Sequence, residues 1–231
     1  IKTRTGAIGF SGFRAANAEE RTEPTRQFLQ GITKFQKPDT NTFLEKYATG
    51  EDGPQKAFPN SGTQKVLLLM IKYPDLNSSY STASFNNMMN QSNYNGTGSF
   101  NDYYYQASSG NLNLSVDVFG WYVANHDYVY YGEDNGDDRA KELVAEAVDA
   151  AEAAGVDFSQ YDNDNDGIVD NLMVVHSGPG AEEGGRTEYV WSHSWSLGFS
   201  LRRNYDGVRI DPYIIMPEKR SSGMVGIGVF C

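Results

Sequence analysis

Residues 161–176 read Tyr-Asp-Asn-Asp-Asn-Asp-Gly-Ile-Val-Asp-Asn-Leu-Met-Val-Val-His. The stretch has two halves with different chemistry. In the first, Asp162, Asp164 and Asp166 alternate, Gly167 follows, and Asp170 closes the run. A hard cation such as Ca²⁺ takes several oxygen ligands, and positions 1, 3 and 5 of a calcium loop supply carboxylates. Glycine at position 6 permits the sharp turn, position 7 (Ile168) offers its backbone carbonyl, and position 9 (Asp170) another carboxylate. Position 12, where an EF-hand places a bidentate Glu, is Met173. The pattern therefore reads as a rigid structural clip rather than a calcium sensor. The competing reading is a solvated turn rich in Asp and Asn. The second half, residues 168–176, is an almost continuous apolar run, which predicts a strand buried on both faces.

Working outward, residues 137–154 form the clearest helix of the chain. Asp137 and Asp138 sit in its first turn, Leu143, Val144, Ala147, Val148 and Ala151 form one stripe, and Gly155 stops it. Residues 65–73 (KVLLLMIKY) predict a second doubly buried strand, and residues 112–123 an alternating one. Between them the pattern predicts a short helix over 84–90 and another over 99–108, with Ser99 as N-cap. Residues 177–187 read as a glycine-rich loop. Residues 208–216 read as a strand, and Pro212 within them points to a sheet edge. Strands alternating with helices give an α/β (α+β) class.

Residues 1–62 differ from the rest. Residues 25–36 carry helical spacing (Phe28, Leu29, Ile32, Phe35), and the glycines and prolines that follow have linker composition. Two regions are expected: an N-terminal extension over 1–62 and a packed domain over 63–231. Charge divides near the same place. Residues 1–66 carry ten Lys and Arg against seven Asp and Glu, whereas the whole 231-residue chain has a net charge of −11. That balance argues against nucleic acid as a partner, since phosphate binding needs clustered basic side chains. The longest apolar runs fall short of a membrane span. One cysteine, Cys231, excludes an internal disulfide framework. Abundant Tyr, Asn, Ser and Gly with few Lys suit an exported bacterial protein.

Other reactive side chains give weaker signals. His126, His176 and His193 lack the spacing of paired metal ligands. His176 ends an apolar strand and is expected to hydrogen-bond into a neighbouring loop. His193, between Trp191 and Trp195, falls in a segment expected to pack in the core. Glu182 and Glu183 are either a second cation site or exposed loop residues, and Cys231 is a nucleophile only by default.

Four stretches in order carry a resemblance: residues 99–122 (SFNDYYYQASSGNLNLSVDVFGWY), 161–180 (YDNDNDGIVDNLMVVHSGPG), 190–196 (VWSHSWS) and 211–231 (DPYIIMPEKRSSGMVGIGVFC). Together they resemble the immune inhibitor A-like family of secreted bacterial zinc metalloproteases. The resemblance implies a zincin-like upper subdomain, a twisted mixed sheet with flanking helices, and hydrolysis of peptide bonds by metal-activated water. It implies a pro-segment over residues 1–62, and it makes Tyr213, Ile214, Ile215 and Met216 an edge strand that receives peptide or protein substrate. The Asp162–Asp170 loop becomes a stabilising calcium site in a secreted, extracellular enzyme. In the family the zinc-binding His-Glu-x-x-His helix follows a stretch resembling residues 226–231. Zinc ligands and the catalytic Glu are thus absent from these residues, and the chain by itself is expected to be inactive. Its partner is then the remainder of the catalytic domain or a second copy. The alternative is a non-catalytic, calcium-stabilised extracellular binding module.

Overall fold

A computed structural model describes residues 58–132, 138–183, 188–221 and 223–230. The helix expected over 25–36, the extension before residue 58, Asp137 and Cys231 lie outside the described residues.

Strand β1 (Gly62–Lys72) sits inside a mixed sheet. On one side it pairs in parallel with β2 (Leu112–Val123), and on the other with β3 (Leu172–Pro179). Beyond β3 lies β7 (Pro212–Arg220), again parallel, and beyond β7 the short antiparallel β4 (His193–Ser196). The order is β2-β1-β3-β7-β4, with β8 (Gly223–Met224) as a hairpin partner of β7. Strands β5 (Arg203–Tyr205) and β6 (Val208–Ile210) form a separate hairpin. The α/β expectation is met, with helices on both faces of the sheet.

The unbroken apolar run of β1 follows from that burial. Leu67, Leu69 and Ile71 face one core together with α4 (Asp138–Ala153), through Leu143, Val144, Ala147, Val148 and Ala151. Val66, Leu68 and Met70 face a second core with α1 (Thr82–Asn90) and α2 (Phe100–Ala107), through Phe85, Met88, Met89 and Phe100. A strand covered on one face only would alternate; covered on both it has no polar position to spare. Each such side chain contributes about 1.5–3 kcal/mol by leaving water.

Helix α2 begins with a capping box. The Asp102 N–H donates to Ser99 Oγ at 3.1 Å, and the Ser99 N–H donates to the Asp102 carboxylate at 2.9 Å. The Ser99 N–H, with the Asn93 N–H, holds the Asp102 carboxyl below its usual pKa. Helix α3 (Tyr128–Gly132) leads toward α4. The β5–β6 hairpin is tied to α4 by the guanidinium fork of Arg203, whose Nε and Nη2 reach Asp149 Oδ1 and Oδ2 at 2.7 and 2.9 Å.

One strand departs from expectation. Residues 208–216 divide at Asp211 into β6 and β7, and the stretch 213–216 is not an edge strand: β3 and β4 flank it. Pro212 misleads for a definable reason. The Leu197 N–H donates to Asp211 O at 3.0 Å. Antiparallel ladders alternate, so Trp195–Tyr213 and His193–Ile215 are the next hydrogen-bonded pairs, and Ser196–Pro212 is a non-hydrogen-bonded one. The proline nitrogen thus faces β3, whose pairing begins only at Tyr213. No rung of either ladder is lost.

Candidate metal loop and peptide edge

The Asp162–Asp166 loop connects the 3₁₀ turn Phe158–Tyr161 to β3. It is pinned to the sheet by a side chain that imitates backbone. Asn163 Oδ1 accepts from the Lys65 N–H at 2.8 Å, and its Nδ2 donates to Lys65 O at 3.0 Å. On the other side the Arg209 N–H donates to Gly167 O at 2.8 Å, and the Val169 N–H to Arg209 O at 2.9 Å.

The loop folds around its own carboxylates. The Asp166 N–H donates to Asp162 Oδ1 and Asp164 Oδ1, both at 3.0 Å. The Gly167 N–H donates to Asp162 Oδ2 at 2.9 Å, and the Ile168 N–H to Asp166 Oδ1 at 2.9 Å. Gly167 adopts φ +84°, the left-handed turn its position requires. Oxygen atoms of Asp162, Asp164 and Asp166 lie within 4.8 Å of one another. Asp170, expected as a fourth carboxylate ligand, lies outside that group. Its Oδ2 accepts from Asn163 N at 2.7 Å and Asn163 Nδ2 at 3.2 Å. Burial, opposed by those hydrogen bonds and reinforced by the charges of Asp164 and Asp166, raises its pKa. Met173, in the twelfth position, is buried within β3.

The sheet ends in two edge strands, β2 and β4. The side chains of Asn101 and Asn90 engage the backbone of β2 at Leu114 and Val116, and β4 is the short antiparallel edge. By the alternation that explains Pro212, residues 193 and 195 spend their backbone groups on β7, and Ser194 and Ser196 point theirs outward. Ser192, the next outward position, is already engaged: Glu182 accepts its N–H at 3.3 Å and also its hydroxyl. Glu183 accepts the Ser221 N–H at 2.9 Å. Both glutamates thus hold chain segments together. The core packing expected around His193 is not found: Trp191 and Trp195 are 52% and 56% exposed. The His193 ring bridges Trp191 O (Nδ1, 2.7 Å) and the Tyr213 hydroxyl (Nε2, 2.9 Å). A carbonyl only accepts, so Nδ1 carries the proton and in the neutral ring Nε2 accepts from Tyr213. Beside Ser194 a surface cavity of about 120 Å³ opens among Asp170, Met173, Pro212, Tyr213 and Ile214.

Two buried polar residues complete the region. His176 is fully buried, with Nδ1 3.0 Å from Ser177 O, and Ser177 Oγ donates to Leu76 O at 2.9 Å. Burial pushes the imidazole pKa down to about 4. Glu218, which no sequence pattern singles out, is also fully buried. It accepts from Ser79 N at 2.9 and 2.8 Å, from Tyr80 N at 3.0 Å and from Gly178 N at 3.0 Å. One carboxylate therefore joins β7, β3 and the segment entering α1.

These groups sort by metal. Zinc takes nitrogen and sulfur ligands in a four-coordinate shell. His193 spends both ring nitrogens on protein partners, His176 is fully buried within β3, and His126 stacks on Tyr130 at 4.1 Å. Among the described residues no set fits zinc, and the one acidic cluster is an all-oxygen set of the kind calcium prefers.

Strand order and covered faces define an α/β domain, and comparison gives the family. Residues 56–230 match the model of the immune inhibitor A peptidase M6 catalytic domain, and the chain belongs to that family. It is 29% identical over 226 residues to the pre-pro-metalloprotease PrtV of Vibrio cholerae serotype O1, covering 76% of this chain and 25% of that protein. It is 31% identical over 122 residues to immune inhibitor A of Bacillus thuringiensis subsp. alesti, covering 43% of this chain and 18% of that protein. The chain thus spans a quarter or less of the length of these relatives. No helix among the described residues is long and apolar enough to cross a membrane.

Proposed function

We propose that this chain is part of the catalytic unit of an exported metalloendopeptidase, and that β4 is the strand along which an extended peptide substrate aligns. The observation that carries the reading is the free edge itself. Ser194 and Ser196 present outward backbone donors and acceptors, which a peptide satisfies by adding as a further strand. The role expected for Tyr213, Ile214, Ile215 and Met216 passes to β4, with those residues as its support. Water activation in such enzymes is the work of a zinc ion. The described residues hold no ligand set for it, so their part is to bind and orient the peptide backbone.

In the same reading residues 1–62 are a pro-segment, and Asp162, Asp164 and Asp166 hold Ca²⁺ with the Ile168 carbonyl. The loop fits that ion: three carboxylates converge, and Gly167 makes the turn. Calcium there neutralises charges that otherwise repel, and it locks Asn163 against β1.

Ser194→Pro in the full-length protein tests the peptide edge. Proline on an edge strand with its nitrogen outward is compatible with the fold, yet it deletes a donor that substrate requires. Losing about 1–1.5 kcal/mol of hydrogen bonding predicts a roughly tenfold fall in kcat/KM on casein-derived peptides, with unchanged melting. An unchanged kcat/KM would overturn the assignment of β4.

A further inference from the structure

We infer that the cavity beside Ser194 is a side-chain subsite. It takes the aliphatic side chain of the one substrate residue that pairs with Ser194. The inference rests on the peptide-edge reading above and adds to it a position and a preference.

Strand geometry supplies the argument. Ser194 lies directly opposite Ile214 on β7, and Ile214 is in register with Met173 on β3. Residues directly opposite across a ladder share a face, so Ser194, Ile214 and Met173 form one row. That row lines the cavity. Ile214 and Met173 belong to the core on the α1 and α2 side, whereas Tyr213 and Ile215 belong to the α4 side. The peptide residue directly opposite Ser194 continues the same row by one position, whichever way the peptide runs. Its side chain therefore projects onto the cavity. The residues before and after it project to the opposite face, beside Trp195 and its half-exposed indole.

Size and chemistry set the preference. A cavity of roughly 150 Å³ takes a benzene-sized group. The present 120 Å³ accommodates an isobutyl or thioether chain and excludes an indole. Met173, Pro212 and Ile214 give it an apolar wall. The Asp170 carboxylate at its rim has one oxygen committed to Asn163. Leucine and methionine fit; glycine leaves the space unfilled.

A positional-scanning peptide library cleaved by the full-length protein tests this. In the wild type one substrate position is expected to favour Leu and Met over Gly by about tenfold. Ser194 is exposed, so Ser194→Phe fills the cavity from outside the core. It is expected to abolish or reverse the preference at that position and leave the other positions unchanged. Ile214→Ala enlarges the cavity and is expected to move the same preference toward Phe. A library profile that Ser194→Phe leaves unaltered would overturn the subsite, as would a loss spread evenly over all positions. Failure of the wild type to cleave any peptide would instead bring down the peptidase reading on which the subsite stands.

Discussion

Replacing His176 with phenylalanine is expected to remove an acid-dependent loss of stability that the wild-type fold cannot avoid. The native imidazole is fully buried, and burial is the main reason its pKa falls to about 4. Glu182 and the Ser177 carbonyl pull it upward and His193 pushes it further down. In the unfolded chain an imidazole titrates near 6.5. A base with a depressed native pKa gives stability that is complete above 6.5 and is lost as pH falls toward 4, because only the unfolded state gains the proton. Integrating between those values, His176 removes about 2 kcal/mol by pH 5 and about 3 kcal/mol by pH 4. Phenylalanine keeps the volume and does not titrate. It also gives up the Nδ1 contact to Ser177 O, at about 1 kcal/mol near neutral pH. Urea unfolding of both proteins from pH 4 to 8, followed by tryptophan fluorescence, gives the difference in free energy at each pH. Titration of the surface carboxylates cancels in that difference. The variant should be slightly less stable at pH 7 and more stable below about pH 5.5. Parallel curves across the range would refute the claim that the native state holds this ring neutral.

Two further substitutions probe the loop and the buried carboxylate. Asp164→Ala should abolish the rise in melting temperature that calcium gives the wild type. At a hundredfold excess over Kd that rise corresponds to about 2.7 kcal/mol, or roughly 5–10 °C for a domain of this size; equal melting of the wild type in calcium and in chelator would exclude the ion. Glu218→Gln puts an amide where several buried N–H donors converge. It should cost about 3 kcal/mol, or roughly 6–12 °C by circular dichroism, with the calcium response intact; a near-neutral effect would mean those N–H groups find other partners.

The residues with strong periodicity declared themselves. The runs in β1, β2 and α4 were legible because burial on both faces, on one face or along one stripe leaves a direct mark on residue order. The turn at Asp162 was legible in its alternate carboxylates and its glycine, which the structure gathers into one acidic loop. What escaped was information held between elements. Four residues, His-Ser-Trp-Ser, are too few to show a period, and their flanking tryptophans looked like core until β4 was placed at the rim. Pro212 marks an edge only if its nitrogen faces an established ladder, which depends on the register of a neighbour. Glu218 has no local signature, since its donors come from segments about 40 and 140 residues away in sequence. Asp170 stands apart from the other three carboxylates because Asn163, inside the same loop, holds one of its oxygens.

The amide pair that Asn163 makes with Lys65 gives this fold a built-in reporter. The Lys65 N–H belongs to β1 by sequence, yet its acceptor is a side chain of the acidic loop. Its exchange with solvent deuterium is governed by opening of that loop, whereas the amides further along β1 exchange only when the sheet itself parts. A single amide thus registers the state of the loop separately from the core it borders.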